Sequence, residues 1–204
     1  MIGFYNYTVW LTYIGMLSSV VGIGFACGGN ITAAVICLMF SGFCDMFDGI
    51  VARTKKDRTD EERRYGIQLD SLSDVVCFGV LPVAIGYNIG ATAWWQVAIM
   101  AAFALAGLIR LAYYNVTEET RQQQTTEKRK HYLGVPITTS ALTVPLLFCF
   151  EKLLGAHFPL AYTLLLLVNG ACFIVPIQVK KPSKTGLAIM LVLGVIFTAC
   201  ILIF

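Results

Sequence analysis

DMFDGIVARTKKDRTDEERRYGIQLDSLSD, residues 45–74, decides how this chain is read. An apolar run leads into Asp45 and Asp48. A charged loop follows, and a second apolar run opens with Asp70 and Asp74. A carboxylate at the middle of a membrane helix costs about 2.5–3.5 kcal/mol on insertion scales, so such groups mark function by default. Asp45, Asp48 and Ala52 are three and four residues apart and share one helix face. Asp70 and Asp74 are four apart and share a face of the next helix. Gly49 and Gly66 let two helices, or a ligand, come close. If the two faces meet, four negative charges converge, and mutual repulsion forces protonation unless cations neutralise them. No His lies in the stretch, and Cys44 and Cys77 fall outside the acid pairs. An all-oxygen donor set suits Mg2+, Mn2+ or Ca2+ rather than Zn2+. The plainer reading is that the acids pair with Arg53, Arg63 and Arg64 at the membrane surface.

Outward from this stretch the chain is apolar. Its 204 residues are 57% hydrophobic and 13% charged, with a mean hydropathy of +0.73. That composition excludes a soluble domain and predicts an all-α, polytopic transmembrane helix bundle, one integral-membrane domain over 1–204. The seven cysteines form no C-x-x-C pair and read as small buried residues. The N-terminus lacks a basic leader, and the first apolar run is long enough to remain as a span.

Spans are expected at 7–26, 31–51, 66–89, 93–114, 134–154 and 159–175, with a further apolar helix at 186–204. In the first, Gly15, Gly22 and Gly24 with Ser18 and Ser19 offer small-residue packing surfaces. Residues 52–65 form the charged loop, and Thr59-Asp60-Glu61-Glu62 fits a capping box that starts a short helix leading into the third span. Pro82 is expected to kink that span and free the carbonyl near Phe78. Trp94 and Trp95 open the fourth span as interfacial anchors. Residues 115–133 read as a solvated polar loop. Putting 52–65 in the cytoplasm places 115–133 and 178–185 there too. Together with Arg53 and Arg110 these segments hold 14 of the 15 Lys and Arg, Lys152 being the exception. This asymmetry orients the acids toward the cytoplasm, where anionic lipids reinforce it.

The pattern D-x-x-D-G-x-x-A-R, then G-x-x-x-D-x-x-x-D, resembles the signature of the CDP-alcohol phosphotransferases. Asp45, Asp48, Gly49, Ala52, Arg53, Gly66, Asp70 and Asp74 fill every position. LDSLSDVVCFGVLP (69–82), RLAYYNV (110–116) and GVPIT (134–138) are similar to the phosphatidylserine synthase branch. The resemblance covers roughly 7–178. Two features depart from it: the twelve residues between Arg53 and Gly66 exceed the usual spacing, and Tyr113 stands where many relatives carry a second Arg.

The resemblance implies a six-helix core, with 186–204 as an addition. It implies transfer of a phosphatidyl group from CDP-diacylglycerol to L-serine, releasing CMP, in a prokaryotic plasma membrane. Asp45, Asp48, Asp70 and Asp74 would bind a pair of Mg2+ or Mn2+ ions, and Asp74 would take the serine proton. Asp45, Gly49, Ala52, Arg53 and Gly66 would surround the nucleotide. Arg110 is the candidate for the serine carboxylate, its plainer role being a snorkelling helix-end arginine. Arg121, Lys128, Arg129 and Lys130 read as surface charges, and Ser71 and Ser73 as hydrogen-bonding neighbours of the acids. His131 and His157 read as ordinary interfacial histidines. Membrane lipids and a second copy of the chain, rather than nucleic acid, are the expected partners. Other acceptors (glycerol 3-phosphate, inositol or its phosphate), a divalent-cation transporter and an inactive scaffold are the alternatives.

Overall fold

The computed structural model describes residues 2–124, 131–180 and 184–203. Lys128, Arg129 and Lys130 lie outside the described residues, as does the side chain of His131. A single turn of 3-10 helix at Tyr7–Val9 leads into α1 (Trp10–Cys27), and the three residues 28–30 reverse the chain into α2 (Ile31–Ala52). After the charged loop, α3 (Asp60–Asp74) passes through a π-helical turn at Val75–Val80 into α4 (Leu81–Asn88). Then come α5 (Trp94–Gln124), α6 (Ser140–Phe148), the short α7 (Glu151–Leu154), α8 (Phe158–Ile174) and α9 (Lys184–Ile203). Six helices are long and apolar enough to cross a bilayer, so the expected all-α polytopic bundle is what the chain forms. One small addition is a two-stranded antiparallel sheet that pairs β1 (His131–Leu133) with β2 (Gln178–Lys180).

The α1–α2 hairpin closes on small residues. A Cβ on Gly22 would sit 2.8 Å from the Cys37 Cβ, so only glycine permits this approach. Ser41 Oγ donates to the Gly15 carbonyl at 2.8 Å and lies 2.8 Å from Ser19 Oγ, so these buried hydroxyls satisfy one another without water. Ser18 Oγ reaches the Cys37 carbonyl at 3.3 Å. Gly24, expected to share this role, faces nothing within 4 Å.

Leu38, Phe78, Leu81, Ile85, Phe103 and Tyr162 fill the centre of the bundle. The Tyr162 hydroxyl donates to the Pro82 carbonyl at 2.8 Å, tying α8 to α4. Trp94 and Trp95 stand at the start of α5, Trp94 being 83% exposed, as interfacial anchors should be. Lipid tails replace water around such a bundle, which explains its many exposed Leu, Val, Ile and Phe side chains.

Several expected boundaries move. The third span is continuous with the helix capped by Thr59, running from Asp60 to Asn88. Its irregularity is the π-helical turn just before Pro82, where the Leu81 N–H bonds the Val76 carbonyl. Helix α5 continues ten residues past Tyr114, to Gln124, instead of giving way to a loop. Good helix formers and the Arg121–Glu118 ion pair at 2.6 Å carry it on without an apolar face. The fifth span is broken. Apolar helix runs only over Ile137–Phe148, and a turn at Cys149 and Phe150 leads into α7. The C-terminal stretch is a full-length helix that packs on α6 and α2.

Candidate active site

The acids converge because α2 ends where α3 begins. Asp45 and Asp48 occupy the last two turns of α2. Asp70 and Asp74 lie at the end of α3, deeper in the bundle than its charged start. Thr59 sets that start. Its side chain accepts from the Glu62 N–H at 3.1 Å, and Glu62 Oε2 accepts from the Thr59 N–H at 3.1 Å. This is the capping box that the sequence predicts. Glu62 Oε1 also accepts from Asn6 Nδ2 and Lys55 Nζ, both at 2.9 Å, so one carboxylate joins the N-terminal lead-in, the loop and α3. Its bond pushes the Lys55 ammonium above its ordinary pKa, despite slight opposing desolvation.

Oxygens of Asp45, Asp70 and Asp74 lie within 4.8 Å of one another. Asp45 and Asp74, and likewise Asp48 and Asp70, are near enough to interact electrostatically. Asp48 and Asp74 are buried, while Asp45 and Asp70 are partly so. Thr12 Oγ1 donates to Asp48 Oδ2 at 3.0 Å. Between them is a cavity of about 10 Å³, lined by the four acids with Thr12, Ser41, Cys44 and Ser73 among others. A space of this size holds about one water-sized particle. Oxygens on opposite sides of a bound Mg2+ or Ca2+ stand about 4–5 Å apart. The donor set and its spacing therefore fit a hard divalent ion.

The surface-pairing alternative fails on the partners of the three arginines. Arg63 pairs with Asp60 at 3.3 Å and Arg64 with Glu119 at 3.1 Å. Arg53 is exposed and donates through Nε to the Gly49 carbonyl at 2.8 Å. Gly49 opens outward: a Cβ there would meet only Arg53 Nη2, at 3.5 Å. Gly66 is different, because the Arg58 guanidinium lies 2.7 Å from where its Cβ would be. Ala52 is half-buried beside them, and its carbonyl accepts from Arg58 Nη1 at 3.4 Å. Arg110 packs over the Tyr114 ring at 5.9 Å and interacts electrostatically with Asp45, so it belongs to this end of the bundle. Arg121 holds Glu118 on the outer part of α5.

Residues 5–175 match the sequence model of the CDP-alcohol phosphatidyltransferases. The chain belongs to this family. Curated relatives include the CDP-diacylglycerol–serine O-phosphatidyltransferases of Saccharomyces cerevisiae and of Helicobacter pylori strain J99. The yeast protein is 40% identical over 54% of this chain and 40% of its own length. The Helicobacter protein is 33% identical over 69% and 54%, respectively. The archaetidylserine synthase of Methanothermobacter thermautotrophicus is 28% identical over 77% of this chain and 65% of its own. The chain thus spans about two fifths to two thirds of the length of these relatives.

Like its family, the chain carries all eight signature residues, on the α2 end, the loop and α3. Two contacts beside them were not anticipated. Thr12 supports Asp48 from α1, and its only sequence signal is a hydroxyl three residues before Gly15 and seven before Ser19, on the buried face of that helix. Asn115 Oδ1 accepts from Ser71 Oγ at 3.0 Å, linking α3 to α5. It was hidden because α5 was expected to end one residue earlier. Ser73 is buried with a long contact to Cys77 Sγ at 3.7 Å. Neither serine has a histidine to activate it among the described residues, which leaves both as neighbours of the acids.

Proposed function

We propose that this chain transfers the phosphatidyl group of CDP-diacylglycerol to L-serine, giving phosphatidylserine and CMP, with Mg2+ or Mn2+ as cofactor. The observation that carries the reading is the convergence of four carboxylates, from α2 and α3, around one small cavity. The serine-specific activity for which these relatives are named supports serine as acceptor.

Asp45, Asp48, Asp70 and Asp74 would hold the metal ions, two by family resemblance. When bound, these ions neutralise charge on the pyrophosphate oxygens and orient the in-line displacement. Thr12 fixes the Asp48 carboxylate in place. Asp74 takes the proton as the serine hydroxyl attacks the phosphorus bearing the lipid, and the bond to the CMP oxygen breaks. A free carboxylate of pKa about 4 is a weak base, so Asp74 works mainly through position. Arg110, close to Asp45, receives the serine carboxylate. Gly49, Ala52 and Arg53 border the nucleotide, whose lipid tails lie between helices. The site faces the cytoplasm of a prokaryotic plasma membrane, as the basic residues of 52–65 suggest, and the chain works as a homodimer, as its family resemblance suggests.

The test is CMP release by purified protein from CDP-diacylglycerol with Mn2+ or Mg2+, comparing L-serine with glycerol 3-phosphate and inositol. Metal- and serine-dependent release, with a serine-headed lipid as product, is the expected result. Release with another acceptor alone would overturn the substrate assignment and keep the site. Ion flux without CMP release would replace the transferase with a transporter.

A further inference from the structure

Arg58 sits in the loop between α2 and α3, and its surroundings are unusual for a charged side chain. Nη1 donates to the Ala52 carbonyl at 3.4 Å and Nη2 to the Glu62 carbonyl at 3.1 Å. Nε is buried without a hydrogen-bond partner, and among the described residues no carboxylate pairs with this guanidinium. Of the acids closest in sequence, Asp60 is taken by Arg63 and Glu62 by Lys55, and neither Asp57 nor Glu61 forms an ion pair with Arg58 among the described residues. Arginine keeps its charge at any working pH. A half-buried cation held only by neutral carbonyls is poorly compensated and favours an anion. Its planar fork matches the oxygens of a phosphate.

Position narrows which anion. Ala52 is four residues beyond Asp48, and Gly66 is four residues before Asp70. Four residues of helix rise about 6 Å, so the guanidinium, which touches the Ala52 carbonyl and lies over Gly66, stands roughly one turn from the acids along both helices. The cavity among the acids is too small for a nucleotide, so the nucleotide of the proposed donor would extend beyond it, and Arg58 is the incompletely partnered cation one turn away on the loop side. We infer that Arg58 binds the CMP-side phosphate of the CDP group, turning to it from the Ala52 and Glu62 carbonyls. The inference rests on the nucleotide-dependent reading of the site proposed above.

The test compares wild type with Arg58→Gln, Arg58→Lys and Lys56→Gln, the last an exposed cation of the same loop. Binding of CDP in the presence of Mn2+ is measured by calorimetry, alongside thermal unfolding and KM for CDP-diacylglycerol and serine. Arg58→Gln should weaken CDP binding and raise KM for CDP-diacylglycerol about 10- to 100-fold, as loss of a charge-assisted hydrogen bond does. Serine KM and thermal stability should stay near wild type, Arg58→Lys should recover part of the loss, and Lys56→Gln should change little. Wild-type CDP affinity in Arg58→Gln would overturn the role of Arg58, whether or not that variant melts earlier. Equal losses in Arg58→Gln and Lys56→Gln would overturn it in favour of bulk charge. Wild-type protein that binds no CDP would sink the nucleotide reading itself.

Discussion

Each acid at the α2–α3 junction has a different set of neighbours, so the substitutions should separate. Asp70→Asn and Asp74→Asn should lower CMP release by at least about 100-fold, the lower range for losing a positioned proton acceptor or metal charge. Both variants should still purify as folded protein in detergent, since each amide keeps the shape of the acid. Near-wild-type turnover in either would defeat the site assignment. Thr12→Val removes one hydrogen bond to Asp48 and nothing from the cavity floor. It should raise the Mn2+ concentration for half-maximal activity about 10-fold while maximal activity changes less, as outer ligands of metal sites generally do. A metal titration of the two proteins decides this. Chelator should abolish turnover, with Mg2+ or Mn2+ restoring it and Zn2+ failing to do so, because all four side chains offer hard oxygen. The four acids were legible because helical spacing brings Asp45 with Asp48 and Asp70 with Asp74, whereas Gly49, Ala52, Arg53 and Gly66 stood out as nucleotide neighbours through the family resemblance. Thr12 was not, since a hydroxyl in an apolar span gives no sign of which acid it will meet.

Among the elements, the α1–α2 hairpin is the support on which the site rests, and its closeness depends on Gly22. Gly22→Ala would drive a methyl into Cys37, and overpacking of this kind costs about 1–3 kcal/mol. Gly24→Ala faces open space and should be neutral or slightly stabilising through helix propensity. Thermal unfolding of the two variants in detergent checks the contrast, and equal melting would mean that the hairpin tolerates separation. The sequence showed which residues in α1 were small but not which of them face α2, because nearly every position of a membrane helix is apolar. The same uniformity concealed the π-helical turn at Val75–Val80 and the break after Phe148. Polar composition misled in the other direction at 115–124. There, helix outlasts the apolar face, since α5 is anchored by its packing on α8 and needs no further burial to continue.

At the scale of the whole molecule, the six long apolar helices and the shorter Ile137–Phe148 would make seven passes if each crosses the bilayer, which would put the start of α1 and the end of α9 on opposite sides. A reporter fused after Phe204 should therefore appear on the opposite side of the membrane from one fused before Met1. Both on one side would remove α9 from the membrane. Helix α9 touches α6 and α2 but contributes nothing to the acid cavity. Deleting 184–204 should leave turnover within a few-fold and lower detergent stability, whereas loss of metal binding would give that helix a role in the site. The break in the fifth pass has a consequence for the bilayer itself. Twelve apolar helical residues, Ile137–Phe148, rise about 18 Å against a hydrocarbon core of about 30 Å. Glu151 and Lys152 follow almost at once, beside a hollow of about 860 Å³ that they line with α9 and the starts of α2 and α8. If this segment crosses, the surrounding lipid would have to thin on that flank to meet them, a hydrophobic mismatch local to this side of the bundle. Reconstituted into bilayers of increasing acyl length, it should lose stability first in the thickest, and the α6–α9 flank should open before the acid cluster does.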